Sequence, residues 1–395
     1  MRGKIQNESD KIRFTYMVPG IHGPVVCPPD LLKEILPIKR PLSYQTAKTD
    51  ITMESYFHAI ENFIITNLDN LRHAVAEIQG TTAPTIQGVQ ILAEKSGSDY
   101  HPARIIAVSQ QATSCFGVNV AMTTRGLMRI DAEFGTMQFL GRHFQQQFVP
   151  LVFFCDTQSV SGQTSPNHPA RMFVTEWLDG YHEFHLAQNP ISGEIQPKLW
   201  ESQHRISPLI ETELRQIYAR AAHILTYYYD IETYREIYPW HHAAGDFIVS
   251  RTDNKVDVRL IAARQYAPRL MVRHSSEVSP YDAVTLFLAN LTLRMRLDRS
   301  DGIGDILWGP PHSVEDTIFG FVSGLRAQLQ EGRVSKSFLE EIAVRLKTLA
   351  PDHLADIFTC VIDSYDPGAP DLQIIQHNSA EHVFQVFRAL RTMPD

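Results

Sequence analysis

The sequence has no long hydrophobic run. Its longest apolar stretches, such as FVPLVFFC at Phe148–Cys155, fall far short of the roughly 20 apolar residues that a membrane-spanning helix needs. The opening MRGKIQNESDKIRF also lacks the apolar core of a signal peptide. These absences predict a soluble, cytoplasmic protein with no membrane partner.

Clustered cysteines and an excess of positive charge are missing too. The four cysteines lie far apart, without a CxxC pair: Cys27, Cys115, Cys155 and Cys360. This spacing excludes common zinc motifs and the disulfide frameworks of small secreted proteins, so we expect buried free thiols. The formal net charge is −8, which leaves no general basic field, and no nucleic-acid partner is expected.

Three common motifs of nucleotide binding and nucleophilic catalysis are absent as well. The sequence contains no Walker loop GxxxxGK, no complete GxGxxG and no GxSxG elbow. P-loop nucleotide hydrolases and esterases of the usual kind therefore lose support.

The chain does have the length and composition of a globular protein. It has 395 residues, 44% of them apolar, and at about 150 residues per domain this length predicts two or three domains, or one two-lobed unit with extensions. Residues 1–80 are expected to form an arm and one long amphipathic helix that ends at Gly80. The apolar residues of this helix recur at steps of three and four: Met53, Phe57, Ile60, Ile64, Leu68, Leu71, Val75 and Ile78. This stripe predicts core or interdomain contact, and a homodimer through the N-terminal helix is the alternative.

Residues 81–180 are predicted to form strands around one helix. The expected elements are strands Ile86–Ala93, Ala103–Ser109 and Cys115–Met122, a helix over 127–137, and strands Phe148–Asp156 and Met172–Trp177. The first three runs are rich in apolar and β-branched residues and are separated by turn-forming segments, so they predict antiparallel hairpins.

Residues 181–395 are predicted to be mainly helical. A buried helical stripe runs from Ile210 to Tyr228, and a small hairpin follows, with its turn at 253–255. The hairpin strands are Phe247–Ser250 and Val256–Ile261, and later helices are expected at Ala283–Leu297 and after the capping pairs Ser313 with Asp316, Ser337 with Glu340, and Asn378 with Glu381.

This order of elements resembles the protein-kinase-like fold, nearest to small-molecule phosphotransferases such as aminoglycoside phosphotransferases and choline kinases. Those families carry a loop of the form His-Gly-Asp-x-His-x-x-Asn before the hairpin, and the corresponding stretch here is Pro239–Phe247, PWHHAAGDF. The resemblance implies an α+β fold of two lobes, a small antiparallel β lobe at 81–180 and a larger helical lobe at 181–395. A catalytic-loop-like segment at 238–264 belongs to the second lobe, and 1–80 forms an N-terminal helical extension.

The catalytic residues of the family are altered in this loop. By the resemblance, His241 takes the place of the catalytic aspartate, Asp246 that of the metal-binding asparagine, and Ala262 that of the acidic residue after the hairpin. Phosphoryl transfer needs metal-binding groups and a base or orienting group for the acceptor hydroxyl. His241 is therefore the candidate catalytic residue and Asp246 the candidate metal ligand, and a purely structural role for His241, His242 and Asp246 is the alternative.

Further positions follow from the same resemblance. Asn119 lies where the phosphate-binding lysine is expected, and Glu133 lies where a glutamate orients that lysine, unless Glu133 is simply a solvated helix residue. The strand with Glu176, Trp177 and Leu178 is similar to the hinge that receives adenine through backbone groups. These five residues are the candidate cofactor-binding residues, and the implied cofactor is ATP or another nucleotide with Mg²⁺.

Two hypotheses about function follow. The altered residues favour a catalytically impaired, pseudokinase-like protein that binds a nucleotide, another small ligand or a protein partner. The alternative is an enzyme of altered mechanism, either an atypical phosphotransferase or one with metal-assisted or acid–base chemistry. In that enzyme His241 and Asp246 act in the cleft between lobes, so activity depends on His241.

Two other polar clusters are explained without a metal. The segment His182–His185 has the pattern HExH rather than HExxH, and its polar residues are expected to face solvent. Asp298, Asp301 and Asp305 do not match EF-hand spacing and are expected at a helix C-terminus followed by a glycine turn. Three arginines complement the dipole of that helix, with an anion site as the alternative: Arg294, Arg296 and Arg299.

Overall fold

The computed structural model describes residues 12–36, 50–94, 99–110, 112–164, 167–189, 191–202, 205–241, 245–252, 255–269, 278–302 and 304–393. The chain divides into two compact units. The first consists of Met1–Gly141 with Pro150–Asp179, and the second of Arg142–Val149 with Gly180–Asp395. Both contain helices and strands, so the fold class is α+β. Among the described helices, none is both long enough and apolar enough to cross a membrane.

The elements up to Glu176 confirm the predicted order of three strands, one helix and two strands. In chain order they are β1 (Arg13–Val18), β2 (Val25–Val26), α1 (Pro29–Leu32), α2 (Met53–Thr66), α3 (Leu68–Gln79), β3 (Ile86–Ala93), β4 (Ala103–Ser109), β5 (Thr113–Ala121), α4 (Thr124–His143), β6 (Val152–Val160) and β7 (His168–Glu176). Strands β3 and β4 match the prediction at both ends, because apolar and β-branched runs bounded by turn residues define them locally.

A mixed sheet forms the centre of the first unit. Its strand order is β2-β1-β3-β4-β5-β7-β6. Strand β1 runs parallel to β3, with Phe14 beside Val89, and the other neighbouring strands are antiparallel. The strands of 81–180 are antiparallel to their neighbours within that range, as expected, and the sheet is mixed because the predicted arm adds the parallel strand β1. The N-terminal segment supplies a strand, because Phe14 and Tyr16 pack against the apolar core of the sheet.

The predicted single helix before Gly80 is two helices. Asn67 separates α2 from α3 with backbone angles φ −110° and ψ 29°, outside the helical region. Its Nδ2 donates to the carbonyl of Phe63 at 3.0 Å and to Oδ2 of Asp156 on β6 at 2.9 Å. Gly80 ends α3 in the left-handed conformation, with φ 63°, as the sequence predicted.

The apolar stripe of α2 and α3 lies in the core that also contains the sheet. Its members Phe57, Ile60, Ile64, Leu71 and Val75 are at most 1% exposed, as are the neighbouring Tyr56 and Phe63, whereas Ile78 is 39% exposed. The segment 1–80 and the strands of 81–180 thus share one core. The burial of most of the stripe agrees with the expected core contact, and a homodimer through this helix stays a prediction.

The second unit adds a three-stranded sheet, short strand pairs and six described helices. Its elements from Gly180 onward are β8 (Glu183–Gln188), β9 (Ile195–Ser202), β10 (Arg205–Pro208), α5 (Glu211–Tyr228), β11 (Arg235–Ile237), β12 (Phe247–Thr252), β13 (Lys255–Leu260), β14 (Tyr266–Pro268), α6 (Pro280–Arg294), β15 (Leu297–Arg299), β16 (Ile306–Trp308), α7 (Ser313–Gln330), α8 (Lys336–Thr348), α9 (Pro351–Asp363) and α10 (Leu372–Arg391). The predicted hairpin is present, with Phe247 opposite Leu260, while most of its turn lies outside the described residues.

Sequence reasoning missed the sheet β10-β9-β8. Proline argues against a central strand, because it cannot donate to the ladder of hydrogen bonds. Pro197 nevertheless lies in the central strand β9, opposite Leu186, and its carbonyl accepts a hydrogen bond from Leu209 at 2.9 Å. Tertiary contacts here outweigh the local signal, since Phe184 and Leu186 are fully buried.

Three predicted helix starts differ from the structure. Ser313 is the first residue of α7, and its hydroxyl donates to the carbonyl of Pro310 at 2.8 Å instead of capping the helix. Ser335, not Ser337, caps α8, where its hydroxyl accepts a backbone N–H at 3.0 Å. Asn378 lies inside α10. The capping pattern also occurs on exposed helix surfaces, and only non-helical backbone angles turn it into a cap.

Candidate functional site

The loop between β11 and β12 holds the candidate carboxylate Asp246. Its side chain is about 2% exposed, and both of its oxygens bond to one guanidinium. Arg264 donates from Nη1 to Oδ2 and from Nη2 to Oδ1, each at 2.6 Å, and the backbone N–H of His241 donates to Oδ2 at 2.8 Å. Such a two-pronged, charge-assisted pair is strong and geometrically specific. It fixes the two ends of the loop to the segment that follows the β12–β13 hairpin.

His241, the candidate base, lies beside a second arginine. Nη2 of Arg294 is 3.2 Å from Nδ1 of His241 and 3.2 Å from the carbonyl oxygen of Trp240. Dehydration of the ring and the positive charge of Arg294 lower the pKa of His241, although the residue as a whole stays open to solvent. The ring is therefore neutral at pH 7 and a weak base. The structure brings His241 and Asp246 together through the histidine backbone amide.

Asp298 is a buried carboxylate that the sequence placed at a helix C-terminus followed by a glycine turn. Helix α6 ends at Arg294, so Asp298 falls in β15, where it is 5% exposed. Its oxygens accept backbone N–H bonds from Leu186 at 2.6 Å and from Arg299 at 2.7 Å. Burial raises its pKa to about 6, against the opposing effect of these N–H groups and of His185. The expected helix end is present at Arg294, but Asp298 itself lies beyond it in β15, which pairs with β16.

The segment His182–His185 is also buried in part. His185 lies in β8 and is 2% exposed, with its Nε2 3.3 Å from an oxygen of Glu183. Its ring lies against Gly302, whose φ of +76° places the backbone beside the ring. The expectation that the polar residues of this segment face solvent was therefore wrong for His185, because the missed sheet covers it.

A cavity of about 290 Å³ lies beside this loop in the second unit. The described residues that line it come from the loop, the end of α6, the β15–β16 pair and the turn before α10: Tyr238, Pro239, His241, Arg294, Leu297, Asp298, Arg299, Ile306, Pro370 and Asp371. Arg294 is 5% exposed and forms an ion pair from Nη1 to Asp371. Arg294 thus forms a specific ion pair with Asp371, and its role in complementing the helix dipole stays a prediction.

In the first unit, Glu133 is buried and not solvated. It is 3% exposed on α4, and Oε2 accepts a hydrogen bond from the hydroxyl of Tyr100 at 2.7 Å. The alternative of a solvated helix residue was therefore wrong, because α4 turns this side chain toward the protein. Asn119 lies on β5 opposite Phe173, on the face of the sheet away from the core residue Val118.

The predicted hinge begins at Glu176, the last residue of β7, and continues beyond the strand with Trp177 and Leu178. Glu176 pairs with Phe116, its N–H donates to the carbonyl of Leu151 at 2.8 Å, and its Oε2 accepts from the Leu151 N–H at 3.3 Å. The Trp177 ring lies under the guanidinium of Arg104, 4.8 Å from its centroid. Asn119 pairs with Phe173, three residues along the ladder from the pair of Phe116 with Glu176 and on the opposite face of the sheet, so the structure does not bring the side chains of Asn119 and Glu176 together. The role of Asn119, Glu176, Trp177 and Leu178 in nucleotide binding stays a prediction.

Within the described part of the chain, no three His, Cys, Asp or Glu side chains are grouped so that they could hold a metal ion. A divalent cation does not fit at Asp246 while Arg264 occupies both of its oxygens, and the metal role of Asp246 remains a prediction. His242 lies outside the described residues. All four cysteines are free as expected, but Cys27 alone is buried and Cys360 is exposed.

Sequence reasoning missed Arg264 and Asp371 altogether. Arg264 is 18 residues from its partner Asp246, and Asp371 is 77 residues from its partner Arg294. No motif spacing indicates such pairs. Asp298 and Arg294 were noticed as charged residues of one segment. One signal could have distinguished them from surface residues: they alternate with Leu291, Leu293 and Leu297 in an apolar stretch, which indicates burial.

No family model matches the chain, and no curated protein matches it. Among solved structures, a chain of the complex of Neurospora crassa PAN2 (WD40-CS1) with PAN3 (pseudokinase and C-term) is similar to it. The identity is 9%, the match covers 77% of this chain and 67% of that chain, and the TM-score is 0.29. A likeness of this size carries no argument about the fold or the function.

Proposed function

We propose that the chain is a catalytically impaired, kinase-like protein, a pseudokinase, which binds a nucleotide, another small ligand or a protein partner without transferring phosphate. The element order supports this in part: β3 to β7 with α4, then α5, the loop and the β12–β13 hairpin come in the order that the resemblance to phosphotransferases implies, and the sheet β8–β10 is inserted between β7 and α5. The lobes in this proposal are 81–180 and 181–395, with 1–80 as the extension.

The observation that carries the proposal is the pair of Asp246 with Arg264. Phosphoryl transfer needs metal ions that neutralise the charge of the phosphates, and those ions need free carboxylate oxygens. Here a guanidinium takes both oxygens at 2.6 Å. The positive charge beside Asp246 is therefore a fixed part of the protein, which supports a structural use of the loop.

The residue at the base position adds to this support. An effective general base has a pKa near the operating pH. The pKa of His241 is lowered by dehydration and by Arg294. In addition, Ala262 supplies no carboxylate after the hairpin. The loop therefore lies where the family has its catalytic loop, but it has a weak base and no second acidic metal ligand.

Calorimetric titration of the full chain with ATP and GTP, with and without Mg²⁺, tests the proposal. We expect binding in which Mg²⁺ changes the dissociation constant by less than about threefold, together with no phosphate transfer to water or to hydroxyl acceptors. Absence of binding at about 5 mM nucleotide would remove the nucleotide from the proposal.

The contrary result is Mg²⁺-dependent phosphate transfer that disappears in Asp246→Ala. The control is Asp356→Ala, which removes an exposed carboxylate of α9 and should leave any activity unchanged. Loss of activity in the first variant alone would establish an enzyme of altered mechanism.

A further inference from the structure

Glu236 on β11 is a buried glutamate without a bonding partner. The residue is 4% exposed, and its Oε2 is buried with no hydrogen-bond donor. Its carboxyl group forms no ion pair with a lysine, arginine or histidine among the described residues. A buried carboxylate that lacks both a donor and a cation is costly, whereas the protonated group avoids the cost of burying a charge. The geometry therefore favours the neutral form of Glu236.

The titratable groups of the elements that pack against β11 supply no positive charge. They come from the end of α5, from β14 and from the turn before β11: Tyr229, Asp230, Tyr234 and Tyr266. Burial raises the pKa of Tyr229 and of Tyr266 far above neutral pH, so both stay uncharged. Asp230 adds only negative charge when it ionises. None of the four can neutralise an ionised Glu236.

Two arginines lie nearby, and neither pairs with Glu236. Arg235 precedes it on β11, so its side chain points to the opposite face of the strand, where it is exposed. Arg269 follows β14, but its guanidinium lies over the ring of Tyr238, 4.8 Å from the centroid, and donates to the hydroxyl of Ser364 at 2.9 Å. Burial raises the pKa of Glu236 to about 7, against the opposing effect of the Arg269 charge.

Few hydrogen bonds hold the strand pair that contains Glu236. Strands β11 and β14 have three residues each. The N–H of Tyr238 donates to the carbonyl of Gln265 at 3.2 Å just beyond the strands. Hydrogen-bonded pairs alternate along an antiparallel ladder, so the next such pair is Glu236 with Ala267. The ladder ends at Pro268, which has no N–H. Opening this pair therefore needs much less free energy than unfolding the whole protein.

We propose that Glu236 is a pH-sensitive switch of the β11–β14 pair. While Glu236 is protonated, its side chain stays buried and the two strands remain paired. When it releases its proton to water, the pair opens more often and the charge becomes hydrated. Strand β11 leads directly into the Tyr238–His241 loop, so opening releases the beginning of that loop. This inference goes beyond the kinase-like function and does not depend on it, because it uses only contacts within the second unit.

Hydrogen–deuterium exchange of the full chain at pH 6 and at pH 8 tests the proposal. An exposed glutamate has a pKa of about 4.3, whereas the pKa of Glu236 in the closed pair is about 7. The closed form therefore gains from this proton at low pH and loses that gain as the pH rises through 7. After correction for the intrinsic pH dependence of exchange, the protection factors of the Glu236 and Ala267 amides should fall about tenfold from pH 6 to pH 8. Unchanged protection factors would overturn the proposal.

Two variants separate Glu236 from other groups that titrate in this range. Glu236→Gln cannot ionise, so its protection factors should change by less than about twofold between the two pH values. Glu232→Gln changes an exposed residue of the turn before β11 and should behave as wild type. Equal pH dependence in Glu236→Gln and wild type would overturn the proposal. If Glu236→Gln does not fold, the ¹³C NMR signal of the Glu236 carboxyl group in wild type decides. A titration midpoint above about pH 6 supports the switch, and a midpoint below it overturns the switch.

Discussion

Asp246 and Asp298 are two buried carboxylates of the second unit, and they are held in different ways. Asp246 bonds through both oxygens to the guanidinium of Arg264 and also accepts the N–H of His241. Asp298 accepts backbone N–H groups of Leu186 and Arg299. One negative charge is matched by a full positive charge, and the other by peptide dipoles.

The difference teaches what each carboxylate can do. A buried ion pair with good geometry fixes two chain segments, and it leaves neither partner free for a ligand. Backbone N–H groups hold the Asp298 carboxylate and lower its pKa, but burial outweighs them and raises the pKa to about 6. We therefore expect the pair of Asp246 with Arg264 to stabilise the fold, and the charge state of Asp298 to change with pH near 6.

Removal of the guanidinium should have the largest effect. Arg264→Met leaves Asp246 buried with an uncompensated charge, and we expect the free energy of unfolding to fall by about 3–5 kcal/mol. Urea denaturation of the two proteins measures this. The matched control is Arg345→Met, which breaks the half-exposed pair with Glu341 and should lower the value by no more than about 1 kcal/mol. Equal effects of the two substitutions would contradict the structural role.

A second prediction concerns Gly302, whose backbone lies against the ring of His185. A Cβ added at Gly302 would lie 2.6 Å from the His185 ring, at a φ of +76°. Gly302→Ala should lower the free energy of unfolding by about 3 kcal/mol, from strain and from overpacking. Gly332→Ala is the matched control, because Gly332 has φ +72° with open space around it, and its loss should be about 1 kcal/mol. A smaller loss at Gly302 than at Gly332 would show that His185 moves freely.

Some features of the fold could be predicted from the sequence, and others could not. Strands β3 and β4 were predicted to the residue, because alternation and turn chemistry are local properties of Ile86–Ala93 and Ala103–Ser109. The break at Asn67 was not predictable from periodicity, since the side chain bonds to Asp156, 89 residues away. Local patterns therefore specify elements, and distant partners decide where those elements bend.

The candidate site shows the same limit. The sequence located His241 and Asp246 in one loop, and the structure brings them together. It could not indicate that Arg264 would bond to Asp246, or that Arg294 would pair with Asp371, because both pairs depend on how the helices and hairpins pack. Charged side chains in sequence alone look like surface residues, and burial is a tertiary property.

The third prediction uses pH to separate the two carboxylates. The pKa of Asp298 is about 6 in the folded protein and about 3.9 in an unfolded chain, so the folded state holds this proton more tightly. The stabilisation from this group is complete below pH 4 and is lost as the pH rises through 6. Asp298→Asn cannot titrate. From pH 7 to pH 4.5, wild type should therefore gain about 2 kcal/mol relative to this variant in urea denaturation. Parallel pH curves for the two proteins would contradict the burial of this charge.

The smallest effect is expected at His241. The bond that it makes to Asp246 comes from its backbone N–H, and alanine keeps that group. The ring contributes a contact with Arg294 at 3.2 Å, on a residue that stays open to solvent. His241→Ala should therefore change the free energy of unfolding by less than about 1 kcal/mol and leave nucleotide binding intact. A loss comparable to that of Arg264→Met would show that the ring supports the loop. Loss of a measurable catalytic activity in His241→Ala, with folding unchanged, would instead mean that the imidazole acts on substrate and that the loop is not purely structural.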